Sequence, residues 1–489
     1  MKSFELIRLE WGRLRRDRVF WLALALGCLA LWYGLANGAA WTRFQQHAIA
    51  RASVIAEEHI ASAKVKAAAL AAKSEKEREG AYYYDPSVAI VFESEYLHLY
   101  DCLPPAPLAM AAIGQSDLLP FCIRVRVGPW PEFAVNNEWE NPLRLLLGRF
   151  DCAFAIIYLL PLLALAASFD LLAREKELGT LPLLLSSPVP ISRWLAVCFF
   201  VRIAVFLGAV IAAIAAGALA MGFAPSAQGA IPSLALWLAL TTAYISFWFA
   251  LSWFVNACGG SSAANALILA SFWLILAIVL PAAINTAAKQ IYPPPSRVEF
   301  INSLRQASDE SARRGNELLK DFLFDHPGLV KEKQGSEGES HAEFYSRLLA
   351  VNAATEAAVE PAKQNFTAQK ERQLALIGSL RFLSPAMIFQ EAANKLAGND
   401  EARHRRFLDA ADAHRKEVKQ FFEPFFLSEQ AFDGFGKVPP FHYFDRPFGE
   451  TASSAVEACF LLLALSLLLV AAGWALVRNV SQRAILNPA

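Results

Sequence analysis

Charge is scarce in this chain. Asp, Glu, Lys and Arg make up 18% of its 489 residues, against roughly 25% in an ordinary soluble domain. The 45 basic residues are matched by 45 acidic ones, so no net positive charge is there to hold a polyanion, and nucleic acid is not an expected partner. Seven cysteines are too few for a disulfide scaffold. Signatures of catalysis are missing too. The sequence holds no GxxxxGK(S/T) phosphate loop, no HExxH, no GxSxG and no CxxC pair, which speaks against a Walker-type ATP site, the commonest protease and hydrolase arrangements and a CxxC zinc site. The eight histidines, at 47, 59, 98, 326, 341, 404, 414 and 442, include no pair at ligand-like helical spacing, so no metal site and no catalytic residue is expected.

Apolar sequence is what the chain has in excess: 55% of residues are hydrophobic and the mean hydropathy is +0.33. The excess is gathered into runs. A helix crossing the hydrocarbon layer needs about 20 apolar residues. Six runs meet or approach that length, at 19–38, 152–169, 195–221, 233–254, 264–287 and 455–477. The second is the shortest and contains Pro161, tolerable where neighbouring helices re-satisfy the backbone. Lys2, Arg8, Arg13, Arg15, Arg16 and Arg18 precede the first run, and Arg478 and Arg483 follow the last. By the positive-inside rule both termini are expected to be cytoplasmic. Ala36, Gly38 and Ala39 would also suit the end of a cleaved signal peptide, but Glu5, Glu10 and Asp17 before the run argue against one. Phe4, Ile7, Trp11 and Leu14 instead recur at helical spacing, as in a helix lying in the headgroup plane.

The expected fold is therefore an all-α polytopic membrane protein with a mainly helical outer domain and minor β content. Its segments are an amphipathic helix (1–18), a first span (19–38), an outer region (41–148), a second span (149–169), an inner loop (170–194), three spans (195–287), a second outer region (288–450), a last span (455–477) and a tail (478–489). Residues 41–79 lack proline and glycine and read as a helix, either a stalk continuing the first span or a separate helix on the membrane. Ile123-Arg124-Val125-Arg126-Val127 alternates as a strand does. Cys102 and Cys122 are the two cysteines clearly in an outer region. A disulfide there would contribute about 3 kcal/mol on the chain-entropy model, and two unpaired buried thiols fit the sequence equally. In the second outer region, helices are expected from about Ser296 toward His326-Pro327, and again to Leu383 after a polar loop at 335–340. Ser384-Pro385 opens another, closed by Gly398, and Asp400 begins one running to about Phe426.

The inner loop carries the most information. It runs Asp170-Leu-Leu-Ala-Arg174-Glu175-Lys176-Glu177-Leu-Gly179-Thr180-Leu-Pro182-Leu-Leu-Leu-Ser186-Ser187-Pro188-Val189-Pro190-Ile-Ser192-Arg193-Trp194. A charged cluster, a turn at Gly179-Thr180 and a short apolar helix lie along the membrane face. This order resembles the first intracellular loop of the type-2 ABC permeases, in which that segment is the coupling helix docking on a separate ATP-binding subunit. The stretch from Phe4 to Arg16 is similar to the same family's elbow helix. Asn141-Pro142 through Gly148-Arg149-Phe150-Asp151, Tyr158-Leu-Leu-Pro161, Asp325-His326-Pro327, Leu383-Ser384-Pro385 and Ala397-Gly398-Asn399-Asp400 resemble a subfamily with large loops after spans one and five.

The resemblance implies a permease subunit in a bacterial inner membrane, paired with an identical or sister protomer and driven by a cytoplasmic ATPase that binds ATP and magnesium. Arg174, Glu175, Lys176, Glu177, Gly179, Thr180 and Arg193 would couple to it, and this chain would carry no cofactor. Export of a substrate is one expectation, and mechanical action on a periplasmic or envelope partner is the alternative. A receptor without an ATPase is a third. Asp151, Asp170, Arg202 and Glu457 are ionisable residues in or near the bilayer, where charge is costly. Asp170 or the Glu175/Glu177 pair is expected to neutralise Arg202.

Overall fold

The computed structural model describes residues 3–74, 77, 80–127, 132–133, 149–186, 189–293, 297–325, 341–428 and 431–486. Residues 141–148, 187–188, 294–296, 326–327 and 335–340, and the side chain of Arg483, lie outside them. Helix is 78% of the structure. Among the described residues five helices are long and apolar enough to cross a membrane.

Helix α1 (Ser3–Arg16) is separated from α2 (Arg18–Ala71) only by Asp17, whose carboxylate accepts the Phe20 N–H at 3.1 Å and caps α2. With no proline to break it, α2 continues through both the first apolar run and the Ala-rich stretch beyond. Its 54 residues at ~1.5 Å rise make about 80 Å, much longer than a bilayer core. Gly38 lets it pass close to the chain at Met110: a Cβ there would sit 1.9 Å from the Met110 carbonyl oxygen.

The segment between α2 and the next apolar helix ends in a small antiparallel sheet of β1 (Tyr100–Cys102), β2 (Cys122–Arg124) and β3 (Glu132–Phe133), in the order β1-β2-β3. Cys102 pairs with Cys122 in register, and the two are joined by a disulfide. The alternation read from Ile123 to Val127 yields strand only as far as Arg124, with one further ladder-like bond from Val125 N–H to the Leu99 carbonyl at 2.8 Å.

Helix α3 (Cys152–Ala166) is short for a span. It contains a π turn at Ala155–Leu159, one residue short of Pro161. Proline has no N–H to give the Ile157 carbonyl, and the buried Tyr244 hydroxyl donates to that oxygen at 2.9 Å. Two short helices follow, α4 (Ala173–Glu177) and α5 (Leu181–Leu185), then the long apolar α6 (Ile191–Ala220), α7 (Ala230–Ala257) and α8 (Ser262–Ile291). α7 is the hub of the bundle, with Trp237, Tyr244 and Trp248 fully buried. α8 presents Leu267, Ile268, Phe272 and Ile275 outward, the apolar exterior expected of a helix facing lipid. The long apolar helices thus belong to a membrane-embedded protein.

The second excursion contains α9 (Arg297–Arg313), α10 (Gly315–Asp325), α11 (His341–Leu380), α12 (Pro385–Ala397) and α13 (Glu401–Ser428), and the chain returns through α14 (Phe448–Leu486). One element is not confined to the expected outer domain. α12 packs within the helix bundle, with Phe389 fully buried and its ring 4.9 Å from Tyr244 and 6.1 Å from Trp237. Ser384, its N-cap, also donates its hydroxyl to the Leu276 carbonyl at 2.6 Å. That carbonyl lies in a second π turn, Ile275–Val279, again followed by a proline, Pro281, that cannot donate to it. The two π turns therefore free backbone oxygens that two other elements occupy.

Candidate functional site

The α1 end of the bundle carries a cleft of about 1210 Å³ between α1, the turn leading into α4, and the start of α6. Its walls follow from how α1 lands. Leu6, Glu10 and Leu14 recur every four residues, share one helix face and are all buried. Phe4, Ile7 and Trp11 point outward instead, so the predicted apolar stripe does not pack on the protein except at Leu14.

Glu10 is the residue that sequence reasoning missed. Its Oε1 lies 3.0 Å from Arg202 Nε, and neither side chain is more than 11% exposed. The expected neutralisation of Arg202 by Asp170 or by Glu175 and Glu177 does not occur. Those three carboxylates lie in the loop, whereas α1 folds back beneath α6 and delivers Glu10 from 192 positions away. Arg202 also donates to the Ala167 carbonyl at 2.5 Å.

That second bond belongs to a set. Helix α3 and its following turn leave carbonyls without intrahelical partners, and three side chains from three other helices take three consecutive ones. Arg202 of α6 takes Ala167, Asn256 of α7 takes Ser168 at 2.9 Å, and Asn265 of α8 takes Phe169 at 3.1 Å. Asn256 Oδ1 further accepts the Leu172 N–H at 3.2 Å. Ser168 donates its hydroxyl to the buried Ser252 at 2.8 Å. The entry to the loop is therefore held by polar side chains of three helices, each group satisfied, as a buried network requires.

The loop is fastened on two further sides. Glu175 accepts from Arg13 of α1 at 3.0 Å and from the Thr180 hydroxyl at 2.5 Å. Gly179, at φ +70°, lets the chain turn between α4 and α5. Glu177 accepts the Ser262 N–H at 2.7 Å and its hydroxyl at 2.9 Å, and Lys176 donates to the Gly259 carbonyl at 3.1 Å. The two bonds from Ser262 hold the Glu177 carboxyl below the usual carboxylate range. Asp170 and Arg174 line the cleft, and Arg193 is exposed at the start of α6. Leu178 and Leu183 stand 64% and 72% exposed on the same loop. A pinned, charged platform with apolar side chains facing outward can receive another protein and transmit its movement.

The remaining predicted residues lie at the opposite end. Asp151 caps α3 through the Phe154 N–H at 2.7 Å, and its second oxygen accepts the Ile113 N–H at 2.7 Å. Glu457 is half exposed and pairs with Arg381 at 3.1 Å. The disulfide-bonded Cys102 and Cys122 sit beside a buried pair, Asp101 and His414, with Nδ1 to Oδ1 at 2.8 Å and Nε2 to the Pro439 carbonyl at 2.9 Å. Burial disfavours the imidazolium. The bond and charge of Asp101 and the Pro439 carbonyl outweigh it, and His414 titrates above the ordinary histidine value. Among the described residues no group of three potential metal ligands occurs.

Residues 297–444 match a family model described as Domain of unknown function (DUF3526). The match begins at α9 and ends before α14, so it includes α12 but not the cleft. No curated protein and no solved structure matches the chain.

Proposed function

We propose that this chain is the membrane subunit of an ATP-binding-cassette transporter of the type-2 permease kind, exporting a substrate under the drive of a separate cytoplasmic ATPase. The observation that carries the reading is the two-sided pinning of the loop. Arg13 holds Glu175 from α1, and Ser262 holds Glu177 from α8. A push on Leu178 or Leu183 is then delivered to α1, α3 and α8 together rather than absorbed by a loose loop. On this reading Arg174, Glu175, Lys176, Glu177, Gly179, Thr180 and Arg193 form the coupling surface. α3 serves as the second of six spans, both termini are cytoplasmic, and the chain sits in a bacterial inner membrane beside a second protomer. ATP and magnesium are bound by the partner, and movement of the coupling helices shifts the permease between conformations.

A second reading is mechanical transmission to an envelope partner without transport. The insertion of α12 into the bundle favours it, because Phe389 against Tyr244 and Ser384 against Leu276 link the outer helices directly to α7 and α8. The 54-residue α2 supplies a lever of the necessary length.

The test is isolation from the native host in mild detergent, with identification of the proteins that accompany the chain. A stoichiometric ATP-binding subunit is the expected result. A chain that is stable alone, with no ATP-binding protein attached, contradicts both readings and favours a receptor.

A further inference from the structure

Six arginines and five carboxylates line the α1-end cleft, an excess of one positive charge. Arg13 is matched by Glu175 and Arg202 by Glu10. The Asp17 carboxylate is engaged as the cap of α2. Arg8, Arg16, Arg18 and Arg174 also line the cleft and form no ion pair among the described residues, and Glu5 and Asp170 are the remaining acidic side chains in its lining. The same cleft is lined by the exposed apolar side chains of Leu9, Val19 and Leu178. Trp11 and Trp21 meet edge to face close by, at 6.5 Å between ring centroids, in the manner of aromatics at a membrane interface.

We propose that this cleft binds the headgroup of an anionic phospholipid, with its phosphate among Arg8, Arg16, Arg18 and Arg174 and its acyl chains along Leu9 and Val19. Guanidinium groups suit phosphate oxygens because they donate in a planar fork. The apolar lining distinguishes an amphiphile from a free anion. Depth distinguishes it from an acidic protein partner. The cleft extends along α6 from Trp194 to Arg202, about 12 Å at the helical rise, and reaches the first apolar residue of α2, Val19. A soluble subunit would instead meet Leu183, which is exposed and lies outside the cleft lining. The inference goes beyond the permease reading and does not depend on it.

The experiment uses the full chain, with any bound partner, in nanodiscs of mixed phosphatidylethanolamine and phosphatidylglycerol. Native mass spectrometry then reads the lipids retained after release from the disc. Phosphatidylglycerol enrichment is expected for the wild type. It should fall on the order of fivefold for each arginine lost in Arg8→Gln, Arg18→Gln and Arg174→Gln, and the corresponding Arg→Lys variants should restore most of it. Arg51→Gln, on α2 far from the cleft, should change nothing and controls for general charge. The variants' circular dichroism and size-exclusion profiles identify any that fail to fold, and Arg16→Gln then replaces the failed one. Equal enrichment in wild type and variants overturns the proposal. So does complete displacement of the lipid by inorganic phosphate, which would mark a free-anion site. Loss of the lipid whenever an ATP-binding subunit is bound overturns it as well, by giving the cleft to that protein.

Discussion

Glu10 and Arg202, 192 positions apart in sequence, form a buried ion pair 3.0 Å across that joins the amphipathic N-terminal helix to α6. Arg202 simultaneously holds the Ala167 carbonyl at the end of α3. One guanidinium thus connects three elements around the cleft.

Removing one partner leaves the other charged and poorly solvated. Glu10→Ala should cost about 3–5 kcal/mol and lower the thermal midpoint in detergent. Glu10→Leu combined with Arg202→Met should recover most of that loss, short of the ~1–3 kcal/mol for the orphaned Ala167 carbonyl. A double variant as unstable as the sum of the single ones would show that the two residues act independently.

Gly38 and Gly378 make a matched pair of tests on helices. A Cβ at Gly38 meets the Met110 backbone at 1.9 Å, whereas nothing lies within 4 Å of one at Gly378. Gly38→Ala should destabilise by at least about 1–3 kcal/mol through overpacking. Gly378→Ala, inside α11, should stabilise by roughly 0.5–1 kcal/mol. Thermal midpoints of the two variants read the opposite signs directly.

The Asp101–His414 pair gives the region around the sheet a pH dependence. The folded-state value of His414 is raised above its ordinary 6.5. Its stabilisation is therefore complete below that value and is lost as pH rises through the raised one. Asp101 is itself raised, chiefly by burial and against the bonds from His414, which has the same sign. Unfolding followed from pH 6 to pH 9 (roughly the window in which a raised histidine titrates) should show stability falling. His414→Gln should flatten that slope, and an unchanged slope would remove the pair as its cause.

The Cys102–Cys122 disulfide closes a sequence separation of 20. Replacing both with serine should cost about 3 kcal/mol on the chain-entropy model. In intact membranes the two thiols should resist maleimide until a reductant is added. Labelling without reductant would put this region in a reducing compartment.

Much of the fold was legible because it rests on local rules. The apolar runs became long helices, and Ser384-Pro385 and Gly398 bound α12 as N-cap and left-handed C-cap. The expected helix from Ser296 is broken at Arg314 into α9 and α10, a local break marked in the sequence only by the single Gly315. Glu10 was hidden for a different reason: on an amphipathic helix it reads as part of the solvated face, and only the angle at which α1 meets α6 buries it. Asn256 and Asn265 were equally silent, since a polar residue in an apolar run does not reveal which carbonyl it will meet. Nor does composition show that α12, amid charged sequence, enters the bundle. Pro161 and Pro281 were the available clues, because each removes a donor and leaves a backbone oxygen for a distant partner.

The central claim is that the loop between α3 and α6 transmits work from an ATPase, and Glu177 tests it most directly. ATP hydrolysis should be measured on the complex as isolated, for wild type and for Glu177→Arg, which breaks both bonds to Ser262 and reverses the charge. The account predicts a wild-type complex with steady hydrolysis, and a variant that has lost the ATP-binding subunit or hydrolyses without regulation by the membrane chain. A variant that keeps its subunit and hydrolyses ATP at the wild-type rate, with the same response to reconstitution in lipid, would contradict it.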